Sequence, residues 1–399
     1  MRDVVIVDAL RTPIGKYKGV LKNIRPDDLG AIAIKSLLDR NPSLPPNEIE
    51  EVVLGNANQA GEDNRNVARM SALLAGLPVE VSGTTINRLC GSGLDAVMYA
   101  VRAIAVGEGD CFIAGGTESM TRAPFVMPKP DKDFPRGNME LYDTTIGWRF
   151  INSKLEEMYG TDSMPQTAEN VAKHYGVSRE EQDQFAYQSQ MRAKKAIEEN
   201  KFSRELVPVV YYDRKGKEIR IDHDEHPRLD TSLEKLGKLK PLFANGTITA
   251  GNASGVNDGA SALLLMSADK AKELGLKPLA RYVVGATAGI EPAFMGLGPI
   301  YSSRKALTRA GLSVQDIGLV ELNEAFASQS IECIRQLELD SEIVNVNGGA
   351  IAFGHPLGAS GARILTTLVH EMKRRNVQYG LATMCIGVGQ GISVIVEGL

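Results

Sequence analysis

Short apolar runs with strand character, Val4 to Val7, Val52 to Leu54 and Phe112 to Ala114, alternate through the first third of the chain with three longer stretches. In those stretches, Leu29 to Leu38, Val67 to Ala75 and Leu94 to Val106, apolar residues recur at three- and four-residue steps, the spacing of one buried helical face. This alternation is the tightest constraint on the fold, because each crossover helix must bury its apolar stripe on a sheet. It predicts an α/β protein with a largely parallel sheet.

The pattern occurs twice. Leu37 to Ala57 resembles Ala306 to Ala325: a helix end, a turn, an acidic step, a strand, then an Asn-containing corner. Each half then passes a Gly-rich corner into another helix and ends in an apolar strand followed by glycines, Ala114-Gly-Gly and Ile386-Gly-Val-Gly-Gln-Gly. Two similar α/β units are expected, at residues 1–120 and 271–399. Between them, residues 121–248 lose the alternation and read as an inserted loop domain. It should hold a short helix from Ala168 to Tyr175, a longer one opened by the capping box Ser178-Arg-Glu-Glu181, and a hairpin of Val207 to Tyr212 with Glu218 to Ile221. Residues 249–270 rejoin the first unit, and the small residues from Asn245 to Leu264 suit a backbone lying close to an extended ligand.

Bulk properties exclude several classes of function. Lys plus Arg number 45 against 49 Asp plus Glu, a net charge of −4, so no basic field marks a nucleic-acid or anionic-membrane protein. The four cysteines (90, 111, 333 and 385) show neither disulfide density nor metal-ligand spacing, which points to a reducing, cytoplasmic setting. No signal peptide is evident at the N-terminus. No stretch approaches about 18 apolar residues, so no membrane span is expected.

Candidate chemistry lies at the corners. Cys90 precedes a helix, where unpaired backbone N–H groups favour an anion, so its thiol should ionise more easily than usual. Taken alone, Cys90 reads equally well as a packing residue. The second half offers Asn323-Glu324-Ala-Phe, Gly354-His355-Pro and Cys385-Ile-Gly387-Val-Gly-Gln-Gly, each expected where a strand gives way to a corner. On the rim of one sheet, Cys90, His355 and Cys385 could converge, with neutral imidazole as a base for a thiol. His174 and His370 read as core or surface residues, His223 and His226 as a solvated turn, and Cys111 and Cys333 as packing.

Asn87-Arg-Leu-Cys90-Gly-Ser-Gly93, Asn323-Glu-Ala-Phe326, Gly354-His355-Pro356 and Cys385-Ile-Gly-Val-Gly-Gln-Gly391, in this order, resemble the thiolase family. The resemblance spans essentially the whole chain. It implies a duplicated five-layer αβαβα core with an inserted loop domain, and it implies that the corners meet. Cys90 would carry the acyl group as a thioester, with His355 as its activating base. Cys385 would move a proton to or from the substrate's α-carbon or the coenzyme A thiol. Asn323 would hold a water that joins His355 in stabilising an enolate oxygen, and the backbone N–H groups of Cys90 and Gly387 would form a second oxyanion hole. Arg228 and Ser254 match positions contacting coenzyme A; Met164, Met295 and Phe326 match positions lining the acyl end.

The resemblance further implies no metal or redox cofactor, coenzyme A and acyl-CoA as ligands, and a homo-oligomer, dimer or tetramer. Acetoacetyl-CoA thiolases have a His-Met pair where this chain has Ser163-Met164. Gln59 to Met70 and Asp143 to Phe150 are more similar to 3-oxoadipyl-CoA thiolases, and Arg65 or Arg149 could meet a terminal carboxylate. Three alternatives remain: an acetoacetyl-CoA thiolase running the condensation, a decarboxylating condensing enzyme, which would have histidine in place of Cys385, and a non-catalytic thiolase-like lipid- or acyl-CoA-binding protein.

Overall fold

The computed structural model describes residues 2–399. The first half runs β1 (Val4–Arg11), α1 (Pro26–Arg40), β2 (Glu51–Gly55), α2 (Val67–Leu74), β3 (Ser82–Ile86), α3 (Ser92–Val106) and β4 (Cys111–Ser119). The inserted region contains α4 (Met164–Tyr175), α5 (Arg179–Glu198) and the hairpin β5 (Val209–Tyr212) and β6 (Glu218–Ile221). Gly176 in the left-handed conformation ends α4, and the Ser178/Glu181 capping box opens α5. The chain then forms β7 (Asn257–Ser267), β8 (Ala280–Gly289), α6 (Gly298–Ala310), β9 (Leu319–Leu322), α7 (Ala327–Gln336), α8 (Ala350–Phe353), α9 (Leu357–Arg375), β10 (Tyr379–Ile386) and β11 (Gln390–Gly398).

The strands lie in the order β9-β10-β11-β8-β1-β7-β4-β2-β3, with Gly15–Lys16 added on β7. Only two residue pairs, Val5 with Arg281 and Ile6 with Ala280, join the halves of this sheet. The order is the same in each half: β3-β2-β4-β7-β1 mirrors Val344-β9-β10-β11-β8, where Val344 makes a single parallel bridge to Val320. The two sequence segments that resemble each other therefore hold equivalent places. Each leads from a helix through a 3-10 turn (Pro46–Glu48, Val314–Asp316) into a strand, β2 or β9.

The sheet is not largely parallel. Only β2–β3, β2–β4 and β9–β10 are parallel; β1, β7, β8 and β11 all pair antiparallel. The alternation of strand and helix detected only the strands linked by crossover helices. It could not show that β7 arrives from the inserted region, or that β10 turns directly into β11.

Five layers follow from where the apolar faces go. The inner faces of both sheet halves bury Ile6, Phe112, Leu265, Leu319, Met384 and Val394 against α3 and α9. The outer face of the first half packs on α1 and α2, and that of the second on α6 and α7. The window Leu89–Val106 is by length and composition apolar enough to cross a membrane, contrary to expectation. It contains α3, the central-layer helix, and 67% of it is buried inside the protein, so its apolarity serves two sheets at once.

The central layer is held by glycine contacts at one end. A Cβ on Gly93 would lie 2.7 Å from the Gly358 carbonyl and 2.9 Å from the Ala362 nitrogen, and one on Gly116 would overlap the Gly358 carbonyl outright. Gly116→Ala is expected to destabilise the protein by about 1–3 kcal/mol through overpacking against backbone that cannot retreat. Gly237→Ala, with nothing near the new methyl, should leave the melting temperature unchanged or slightly raised; thermal denaturation of both compares them.

Candidate active site

Cys90 sits in a strained turn at the start of α3. Leu89 adopts φ 46°, a left-handed conformation costing about 1–3 kcal/mol outside glycine. Ser92 holds the turn: its Oγ accepts from the Arg88 N–H (2.9 Å) and donates to the Leu89 carbonyl (2.6 Å). A Cβ on Gly91 would come within 2.6 Å of Ile386 Cδ1, so the turn rests on the end of β10. From there the hairpin Gly387-Val388-Gly389, with Val388 also left-handed (φ 64°), presents the Gly387 N–H to the Cys90 sulfur. The Cys90 N–H points at it too, and both lower the thiol's pKa. Burial outweighs them and pushes the thiol up, so Cys90 rests protonated, against the expectation that a helix start would ionise it.

His355 lies between α8 and α9, not at the end of a strand as expected. The strand that would precede it is reduced to the single bridge at Val344, and α8 intervenes. The His355 backbone N–H donates to Asn257 Oδ1 (2.9 Å), and its Nδ1 lies 2.6 Å from Ser360 Oγ. The Ser360 hydroxyl spends its own proton on the Pro356 carbonyl (2.9 Å), so it accepts from His355, and Nδ1 carries the hydrogen. Nε2 is left as a buried lone pair without a partner. Burial first, then the Arg363 charge, lowers the His355 pKa to about 3, so the ring is neutral at any ordinary pH.

Cys385 is the penultimate residue of β10, fully buried, its thiol pushed well up by burial and then by Cys90. It packs in one apolar cluster with Met164, Met295 and Phe326, the three residues predicted to line the acyl end. Asn323 follows β9 and is tied to β10 by its backbone N–H to the Thr383 carbonyl (3.0 Å). Both polar atoms of its side chain are buried and unpartnered. Cys90, Gly387, Cys385 and Asn323 thus gather at one rim, while Gly358 of α9 crosses Gly93 of α3 and brings the His355 corner to the same end of the central layer.

The remaining predicted residues are spread more widely. Ser254 bonds through its N–H to the Ala325 carbonyl (2.9 Å), and Ala253 bridges Phe326, so this segment runs beside the Asn323 corner. Arg228 is exposed, its backbone N–H held by Gln190 Oε1 (2.8 Å). Arg65 is exposed on a left-handed turn, and neither it nor Arg149 forms an ion pair among the described residues. Arg149 Nη2 reaches only the Asn58 carbonyl at 3.4 Å, but its neighbour Trp148 lines a small cavity with Met164 and Val388. A larger cavity, about 250 Å³, lies behind Glu324, with Phe185, Ile331 and Val344 among its walls. Its Glu324, Ser189 and Asn345 groups are already bonded to one another. Cys111 and Cys333 are packing residues in β4 and α7, and His370 is buried with Nε2 2.7 Å from the Ala9 carbonyl. Among the described residues, no group of His, Cys, Asp or Glu is arranged to hold a metal.

His226 corrects the sequence reading, because it is buried rather than in a solvated turn. Asp224 draws the turn inward by accepting from Arg11 (Nη1, 2.7 Å) and from the Ile14 N–H (2.9 Å). Sequence reasoning also missed Asn257, Ser360 and Glu118. The Glu118 carboxylate accepts from the N–H groups of Ala57 (2.8 Å), Asn58 (3.2 Å) and Gly358 (2.8 Å), and burial raises its pKa to about 7. Ser360 was within reach of the Gly354-His355 motif, whereas Asn257 and Glu118 carry no local signal.

The state of the Cys90 thiol is directly testable. Alkylation of Cys90 by iodoacetamide should keep accelerating with pH beyond the ordinary thiol value of about 8.5. A rate already level near neutrality would reveal a preformed thiolate and contradict the electrostatics described above.

Comparison with known proteins bears on this arrangement. The thiolase N-terminal domain model matches residues 4–269 and the thiolase C-terminal domain model residues 276–398. The 3-oxoadipyl-CoA/3-oxo-5,6-dehydrosuberyl-CoA thiolase of Escherichia coli (strain K12) is 58% identical over 400 residues, covering 100% of both chains. A beta-ketoadipyl-CoA thiolase of Acinetobacter baylyi is 54% identical, again over 100% of both. The crystal structure of the Bacillus anthracis acetyl-CoA acetyltransferase superposes with a TM-score of 0.93 at 41% identity, covering 100% of this chain and 99% of that one. With its motifs on one rim of a duplicated five-layer core, this chain belongs to the thiolase family of acyltransferases.

Proposed function

We propose that the enzyme cleaves a 3-oxoacyl-CoA, with 3-oxoadipyl-CoA as its substrate, using coenzyme A to release acetyl-CoA and a shortened acyl-CoA. The observation that carries the mechanism is the presence, at one end of the central layer, of two neutral groups: a half-buried Cys90 thiol and a His355 ring with a free Nε2 lone pair. His355 Nε2 takes the Cys90 proton as the sulfur attacks the 3-oxo carbon. The C2–C3 bond then breaks, leaving the acyl group on Cys90 and an acetyl-CoA enolate, which Cys385 protonates at carbon. After acetyl-CoA leaves, coenzyme A gives its thiol proton to the Cys385 thiolate and attacks the thioester. The tetrahedral intermediate collapses, the Cys90 thiolate takes back its proton from His355, and the cycle closes.

Negative charge appears on an oxygen at each step. The N–H groups of Cys90 and Gly387 face the acylated sulfur's carbonyl, and a water held by the unpartnered Asn323 side chain, with His355, faces the enolate oxygen. A donor of this kind is worth about 3–4 kcal/mol of barrier. Ser254 and Arg228 serve coenzyme A, and no metal or redox cofactor takes part. Met164, Met295 and Phe326 confine the acyl end.

The substrate assignment rests on the relatives' names and on the Asp143–Phe150 stretch. Trp148 and Met164 line one small cavity, and Arg149, next in sequence to Trp148, makes only one long hydrogen bond of its own. The alternative acetoacetyl-CoA thiolase is disfavoured by Ser163, whose Oγ caps α4 by accepting from the Gln166 N–H, so no imidazole stands next to Met164. We further propose a cytoplasmic homo-oligomer, dimer or tetramer, consistent with four free cysteines and with apolar side chains left exposed on the insertion, such as Phe134 at 89%.

Comparing kcat/KM for acetoacetyl-CoA, a medium-chain 3-oxoacyl-CoA and 3-oxoadipyl-CoA tests the assignment. A charge-assisted contact of about 1.5–3 kcal/mol predicts a tenfold to hundredfold preference for the dicarboxylate, lost in Arg149→Ala or Arg65→Ala. Preference for the medium chain would make the enzyme a general β-oxidation thiolase. Cys90→Ala should abolish turnover and Cys385→Ala should cripple both directions; failure of wild-type protein to turn over any of these substrates would revive the non-catalytic reading.

A further inference from the structure

Asn257, at the first position of β7, is completely buried and has every amide hydrogen engaged. Its Oδ1 accepts from the His355 backbone N–H (2.9 Å). Its Nδ2 donates to the Gly15 carbonyl (2.9 Å) and lies 3.2 Å from His226 Nδ1. The amide can take only this orientation: turned over, it would set an NH2 against the His355 N–H and an oxygen against the Gly15 carbonyl. The His226 ring must therefore accept at Nδ1 and carry its hydrogen on Nε2.

The contact with His355 is also steric. Gly354, at φ 99°, lies flat on the amide, and a Cβ there would come within 2.5 Å of Asn257 Nδ2 and Oδ1. At the other end, the His226 ring lies on Gly255, whose Cβ would stand 3.0 Å from Nε2. Gly255 directly follows Ser254. A continuous line of contacts thus runs from the Ser254–Gly255 segment through His226 and Asn257 to the backbone of His355.

We propose that Asn257 is a positioning residue for His355 and that His226 fixes the Asn257 amide, so that the base is aligned from the segment along which coenzyme A lies. The proposal rests on the thiolase reading of His355 and Ser254. Burial, followed by the charges of Arg228 and Lys16, lowers the His226 pKa to about 4, in keeping with a neutral acceptor. Neither residue touches substrate; both act through the placement of a ring that must meet a sulfur to within a fraction of an ångström.

The test uses His226→Leu, which removes the acceptor, and His226→Asn, whose Oδ1 takes the place of Nδ1. For thiolytic cleavage by the full-length enzyme, His226→Leu should lower kcat about 100-fold, as misplacing a reacting group by about 1 Å does. KM for the 3-oxoacyl-CoA should be unchanged, and His226→Asn should recover most of the rate. Asn257→Asp, which keeps the acceptor for His355 but loses both donated bonds, should reproduce the kcat loss and gives the same reading if His226→Leu does not fold. Equal impairment of His226→Asn and His226→Leu, or a folded Asn257→Asp with wild-type kcat, would overturn the proposal while leaving the thiolase reading intact. A wild-type enzyme without thiolytic activity would overturn both.

Discussion

The arrangement of the site depends on the close approach of α3 and α9 between the two sheet halves. Helix axes normally stand apart by the width of their side chains, about 8–10 Å. Here Gly93 and Gly361 face backbone directly, and Gly55 at the end of β2 and Gly116 within β4 admit the Gly358 carbonyl. The Glu118 carboxylate completes the junction, joining the Gly358 N–H to the corner at Ala57 and Asn58. Cys90 leads into one helix and His355 into the other, so the contact that holds the halves together also fixes how the Cys90 turn and the His355 corner sit relative to each other. Strain at Leu89 and Val388 is tolerated next to this junction because the surrounding backbone has no room to relax.

Burial gives the site its electrostatic character. The thiols of Cys90 and Cys385 are pushed up and the His355 ring is pushed down, so all three side chains rest uncharged near neutral pH. A neutral site suits a reaction in which acyl groups and enolates come and go, because charge appears only transiently and fixed N–H dipoles already face it. Beneath it, charges are concentrated elsewhere. Arg11 bonds Glu205 and Asp224 in the core at 2.6 and 2.7 Å, tying the insertion to β1, and Arg363 adds to burial in lowering the His355 pKa.

Much of this was legible in the sequence where the signal is local. Periodicity located α3, the Ser178 capping box located α5, and the likeness between Leu37–Ala57 and Ala306–Ala325 revealed the duplication. The motifs around Cys90, Asn323, His355 and Cys385 marked the rim. What stayed hidden depends on contacts distant in the chain. Strand direction was misjudged because residues 249–270 were read as rejoining the first unit, but a pattern of alternation says nothing of the direction in which β7 pairs there. His226 looked solvated because its neighbours are charged, yet Asp224 and Glu225 are charged in order to bond inward, to Arg11 and to the N–H groups of Ile14, Lys16 and Val20. Cys90 looked ionisable from its helix position alone, and only the surrounding burial reverses that sign.

The central claim is that acyl groups are carried by Cys90. Incubating the protein with radiolabelled acetyl-CoA in the absence of free coenzyme A, quenching in acid and mapping the peptides tests it most directly. The account predicts one hydroxylamine-labile acetyl group per chain, on the peptide containing Cys90 and absent from Cys90→Ser. Label on Cys385 instead, or no covalent label in an enzyme that turns over, would contradict it.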